Sequence, residues 1–232
     1  MSDVLDRVRG ISHLPIFPLP LVMLPNELLP LHIFEDRYRQ MLTDIEQSGK
    51  LFGITLFEPS DSVIQKPPTG SIGCVAEIRE SELLPDGRSN ILVLGLVRYR
   101  LIGYADVDDP YLVGVVEFFE DDPVDAADVG PLADEVFELF ERMAKAAFKM
   151  SGSRGQLPQI QRTDPESLSF LITAAFNFDN DKKYPLLEMT STVARLAELK
   201  SILEKTVGQI EESADIQSVA KLNGHSKKKI DL

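Results

Sequence analysis

Basic residues are missing from a long stretch of this chain: between Leu101 and Glu141 there is no Lys or Arg, while 13 Asp and Glu fall there. Elsewhere acids and bases balance, so this stretch accounts for the formal net charge of −13. Nucleic-acid binders present a basic stripe whose counterions are released on binding, whereas an acidic middle repels phosphate. Nucleic acid is therefore not an expected partner. The run reads as a solvated surface, with a basic protein partner as the alternative. Cysteine is nearly absent. Cys74 stands alone inside the apolar run Ile72 to Ala76, which excludes an intrachain disulfide and favours a buried structural thiol over a nucleophile. The three histidines, His13, His32 and His225, are scattered, and no His or Cys pair has zinc spacing. His32, just before an apolar helix start, reads as a structural hydrogen-bonding residue. The cluster Asp106 to Asp109 lacks the order and the distal Glu of a calcium loop. Glu120, Asp121 and Asp122 are adjacent on a polar linker, where they hydrate and repel instead of sharing a proton. Gly49-Lys50 is followed by Leu51 and lacks the earlier glycine of a P-loop, so no phosphate cradle and no ATP hydrolysis are expected. No metal and no cofactor are expected. No apolar run approaches the roughly 20 residues that span a bilayer, and Met1 to Gly10 is polar, so a cytoplasmic protein is expected.

What is present is ample core-forming material: 232 residues, 44% hydrophobic, enough for one large domain or two small ones. Pro15, Pro18, Pro20, Pro25 and Pro30 each lack an N–H and bias the residue before them toward extended backbone, which predicts edge strands and turns near the start. Ile33, Phe34, Tyr38, Met41, Leu42 and Ile45 then recur at helical spacing, with Gly49 as a stop. Leu51 to Phe57 reads as a buried strand and Glu58 to Gly70 as a loop. Ser71 to Leu84 and Asn90 to Val97 flank Pro85-Asp86-Gly87-Arg88, a strong hairpin turn. A further pair, Tyr99 to Ala105 and Leu112 to Glu120, surrounds the turn at Asp106 to Pro110. Beyond the linker Asp121 to Gly130 the pattern becomes helical. Pro131 suits a first helical turn and leads into Leu132, Val136, Leu139, Phe140, Met143 and Ala147. Asp164-Pro165-Glu166 is a second helix start, and Thr190 can open a last helix through Ile210. Strands first and helices afterwards argue for α+β with two subdomains.

Several segments in order carry a family likeness. They are Leu14-Pro15-Ile16-Phe17-Pro18-Leu19, Leu24-Pro25, and Pro30-Leu31-His32-Ile33-Phe34-Glu35-Asp36-Arg37-Tyr38. Then come Ser71 to Ile78, Leu84-Pro85-Asp86-Gly87-Arg88, and Leu92 to Leu101 with Gly95 and Arg98. Lys183 to Glu188 and Arg195-Leu196 through Leu199 complete the set. Together they resemble the N-terminal domain of Lon proteases over nearly all of Ser12 to Glu211, departing at Tyr184 and Pro185. The resemblance implies a PUA-like β-barrel followed by a helical bundle, a domain that in full-length Lon helps capture protein substrates. The expected layout is a flexible leader at 1–11, a barrel with one helix at 12–122, a helical bundle at 123–212 and a flexible tail at 213–232. The ATPase and Ser-Lys peptidase segments of Lon find no match, so a stand-alone, non-catalytic module is expected. It would bind unfolded or apolar polypeptide or a partner protein, as an adaptor in protein quality control. A PUA-like domain binding RNA or a small ligand is the alternative, and an uncharacterised hydrolase a third. Among aromatics near helix surfaces or ends, most of which go to core, the candidate polypeptide-binding residues are Phe34, Tyr38, Phe176, Phe178 and Tyr184. Phe178, on the polar loop Asn177 to Asp181, is the preferred exposed one.

Overall fold

Burial along the first strand, β1 (His13–Leu19), shows how the barrel is built: Leu14, Ile16 and Phe17 are buried while Pro15 and Pro18 sit partly exposed. The computed structural model describes residues 3–58, 66–150, 161–176 and 178–223. A short helix α1 (Asp3–Arg7) precedes β1, and β2 (Leu28–Ile33), α2 (Asp36–Ile45), β3 (Leu51–Leu56), β4 (Ile72–Leu83), β5 (Ser89–Tyr104) and β6 (Leu112–Phe119) follow. Helices α3 (Ala126–Met150), α4 (Pro165–Ala175), α5 (Asn180–Glu188) and α6 (Thr192–Asn223) complete the described chain. The order β2-β5-β4-β3-β1-β6 closes through an added β5–β6 pairing, which leaves β2 as an edge strand beside a ring of the other strands. Among the described strands only β1–β3 is parallel; the remaining pairs are antiparallel. The fold is α+β, a near-barrel followed by helices.

The described chain falls into two compact units, 1–122 with 170–190, and 123–169 with 191–232. Segment Phe170 to Thr190, expected in the helical bundle, thus belongs with the barrel. Arg98 is the reason. Its guanidinium, 1% exposed, pairs with Asp121 and donates to the carbonyls of Leu187 and Met189, between the rings of Phe119 and Phe170. Burying that charge demands partners, and this segment supplies carbonyls for it. Inside the barrel, Tyr99, Gly73 and Thr55 form one cross-strand row. The phenol lies over Gly73 and reaches the Thr55 hydroxyl at 2.5 Å. A Cβ on Gly73 or Gly53 would come within about 2.5 Å of that ring, so both positions need a bare backbone.

The sequence reading split β5 into two strands; it is one strand of 16 residues. Gly95 makes this possible. A Cβ there would strike the Leu24 carbonyl at 2.1 Å, and the chain entering β2 instead clasps Gly95 through Asn26 N–H to Gly95 O and Gly95 N–H to Glu27 O, both 2.9 Å. β5 therefore pairs with β2 before Gly95 and with β6 after it. The hairpin turn lies where expected, with Gly87 at φ 82° and Leu84 N–H to Arg88 O at 2.7 Å.

In the second unit, α3 and α6 pack along Val129, Ala133, Val136 and Phe137 against Leu196, Leu199, Leu203 and Val207. Helix α3 starts at Ala126, ahead of Pro131, because Asp125 caps it: its carboxylate accepts from Ala127 N–H at 2.8 Å. Ser191, and not Thr190, opens α6, accepting from Ala194 N–H at 3.2 Å. Asp164 caps α4 as read from sequence. Helix α5 was not foreseen. The leader region carries α1 and buries Val8, and α6 continues to Asn223. The expected tail beyond residue 223, His225 within it, and residues 59–65 of the expected loop lie outside the described residues.

Candidate polypeptide-binding surface

Strand residues alternate between faces, and on β2 both faces are apolar. Leu29, Leu31 and Ile33 point to the core beneath α2, with Tyr38, Met41 and Ile45. Leu28, Pro30 and His32 are exposed on the other side, and Phe34, one residue past the strand, continues their row. Leu28 is 58% exposed and Phe34 62%. His32 and Phe34 rings stack with centroids 6.2 Å apart, which confirms the shared face. Register extends it across two more strands: Leu28 lies opposite Leu94, Pro30 opposite Leu92 and His32 opposite Asn90. Those in turn lie opposite Glu77, Glu80 and Glu82 of β4. Asn90 bridges the third row, its Oδ1 2.8 Å from His32 Nδ1 and its Nδ2 donating to Glu82 at 3.4 Å. One end is covered, because Arg7 of α1 pairs with Glu77 and Leu94 packs against the cluster holding Val8.

A family model described as the ATP-dependent protease La (LON) substrate-binding domain matches residues 13–205. The chain belongs to this family. Relatives of this LON substrate-binding domain include the Lon proteases of Cytophaga hutchinsonii and Trichlorobacter lovleyi, each 24% identical over 92% and 93% of this chain respectively. In both cases the match spans 27% of the relative's length. Two solved structures are similar in fold. One is the Lon N-terminal domain protein from Xanthomonas campestris, with a TM-score of 0.59, 24% identity and coverage of 82% of this chain and 98% of that one. The other is the N-terminal domain of Mycobacterium avium complex Lon protease, with a TM-score of 0.61, 20% identity and coverage of 83% and 98%. No ATPase or peptidase domain was found in the chain.

Within this LON substrate-binding domain the five aromatic candidates have different fates. Phe34 stands out on the β2 face. Tyr38 is 5% exposed, its ring 4.1 Å from Phe17, so it serves the core and offers no surface. Helical spacing placed it correctly on α2 but could not say which side faces the sheet. Phe176 and Phe178 are half-buried and stack on each other at 4.8 Å, nearly parallel. Phe178 is thus less open than its polar loop suggested. Tyr184, also half-buried, accepts a hydrogen bond from Ile72 N–H at 2.9 Å and packs with the cluster of Val22, Leu24 and Phe170. Sequence reading missed Leu28, Pro30 and Leu92. The signal was there, since the unbroken apolar run Leu28 to Leu31 sits on a strand whose proline argues for an edge.

Catalytic chemistry finds little footing among the described residues. Cys74 is fully buried, and burial pushes its thiol far up, away from the thiolate form. No group of three or more His, Cys, Asp or Glu is placed to hold a metal ion among the described residues. No helix among them is long and apolar enough to cross a membrane. A cleft of about 610 Å³ lies between α2 and the β4–β5 hairpin, with Leu42, Ile78 and Leu83 beside Arg39, Glu46 and Lys50. Its lining mixes charged, hydroxyl-bearing and apolar side chains.

Proposed function

We propose that this chain is a non-catalytic polypeptide-binding module, which recognises unfolded or apolar segments and acts as an adaptor in protein quality control. The observation that carries this reading is the exposed apolar row Leu28, Pro30 and Phe34 on an edge strand. Large apolar side chains in a contiguous exposed group are costly to leave in water and mark interaction sites. Phe176 and Phe178, stacked on each other, form a smaller second contact area in the same reading. Membership of a substrate-binding family agrees with it, although a shared fold alone does not assign function.

The test is fluorescence anisotropy with a labelled, permanently unfolded protein, without ATP. The parent chain should bind, and the double substitution Leu28→Ser with Phe34→Ser should weaken binding about tenfold while far-UV circular dichroism stays unchanged. Equal binding by parent and variant would remove this face from the proposal, and no binding by the parent would remove the function. RNA as ligand is disfavoured by Glu80 and Glu82 of β4 beside the row; a gel shift at low salt would reverse that preference.

A further inference from the structure

Resting on the polypeptide-binding reading, the register of β2, β5 and β4 points to a narrower partner. We propose that the outward face selects polypeptide segments whose bulky apolar residues are flanked by Lys or Arg. The face is graded. Leu28, Pro30 and Phe34 form its apolar margin, interrupted by His32, which meets Arg88 at 3.4 Å, a cation already paired with Asp86; Leu92 is its middle, and Glu80 and Glu82 its acidic margin. The third glutamate of that column is already engaged, since Glu77 pairs with Arg7 and Arg79. Glu80 and Glu82 are not: among the described residues neither has an ion-pair partner, and Glu82 receives only the 3.4 Å hydrogen bond from Asn90.

Glutamates on an exposed strand would by themselves be a solvated rim. Their register with an apolar row changes what they can do. Adjacent strands lie about 4.8 Å apart, so the acidic column stands roughly 10 Å from the Pro30 column, within reach of a Lys or Arg whose neighbouring apolar residue sits on Phe34 or Leu28. An acidic flank in the same place would meet like charge, and a phosphate backbone would fare no better. Apolar burial thus supplies attraction and the β4 carboxylates supply discrimination.

The experiment uses the whole chain and three labelled peptides with one common Phe- and Leu-containing centre, flanked by Lys, by Ser or by Asp. The Lys-flanked peptide should bind about fivefold more tightly than the Ser-flanked one at low salt, the Asp-flanked one most weakly, and the spread should close as salt is raised. Glu80→Lys with Glu82→Lys should reverse the order, with circular dichroism checking that the variant folds. Three equal affinities, or an order unmoved by the double charge reversal, would overturn the selectivity while leaving polypeptide binding intact. Failure of all three to bind would overturn both. A dimer that dissolves on Phe34→Ser would place a second copy on the face and also overturn the proposal.

Discussion

Single residues here are set by what their neighbours leave open to them. Glu27 shows this in a titratable form. It accepts from Leu24 N–H at 2.9 Å and lies 3.7 Å from the Lys183 ammonium. Burial is the largest influence and raises its pKa; the Leu24 hydrogen bond and Lys183 lower it without offsetting that, so the value stands above the ordinary 4.5. The folded chain therefore favours neutral Glu27. That contribution is fully present below the ordinary value and is lost as pH rises through the raised one. Glu27→Gln keeps the neutral shape at every pH, so the variant should match the parent near pH 4 and gain stability relative to it by pH 7. Urea midpoints at the two pH values decide it; a relative gain that shrinks with rising pH contradicts the assignment. Residue types were partly legible beforehand. Cys74 as a buried thiol and Asp164 as a cap followed from local sequence, whereas Arg98 showed only as a likeness, because its carbonyl acceptors lie about 90 residues away in sequence.

At the level of elements, readability tracked how much of each element's cause was local. The Pro85–Arg88 hairpin and helix α4 carry their signals within a few residues. Helix α5 does not: Pro185 lies inside it, a residue that argues against helix in the sequence, and only Leu186 and Leu187 are buried, so no apolar stripe announces it. The continuity of β5 depended on Gly95 meeting the Leu24 carbonyl, a contact that spacing along the chain cannot reveal. The proposed binding row on β2 was noticed only in part, through Phe34: both faces of the strand are apolar, and among the described residues only one has a helix over it. Caps give the sharpest expectation at this scale. Asp164 accepts from Ser167 N–H at 2.9 Å, and replacing it with Ala should cost about 1 kcal/mol, seen as a lowered midpoint in chemical denaturation; an unchanged midpoint would mean that α4 is held by packing alone.

For the whole molecule, the boundary near residue 122 was visible as a change of pattern, but the return of Phe170 to Thr190 to the barrel was not. This return predicts that a fragment of residues 1–122 will not fold by itself. It would lack the carbonyls of Leu187 and Met189 for Arg98, and it would uncover Val22, Leu24 and Ile72, which pack with Phe170 and Leu187. Adding residues 170–190 back through a short linker should restore dispersed amide resonances in a nuclear magnetic resonance spectrum. A well-folded 1–122 fragment would show that the segment is an accessory.

Ring closure has a temporal side. His13 finds its partner at Val115, and Leu14 at Gly114, so the strand made first is completed by the one made last. Such distant pairings are slow to form. On a ribosome β1 can meet β3 early, but its other edge must wait unpaired until β6 has emerged, and Arg98 waits longer still for its carbonyls. A molecule proposed to hold unfinished chains would itself pass through a prolonged unfinished state during synthesis.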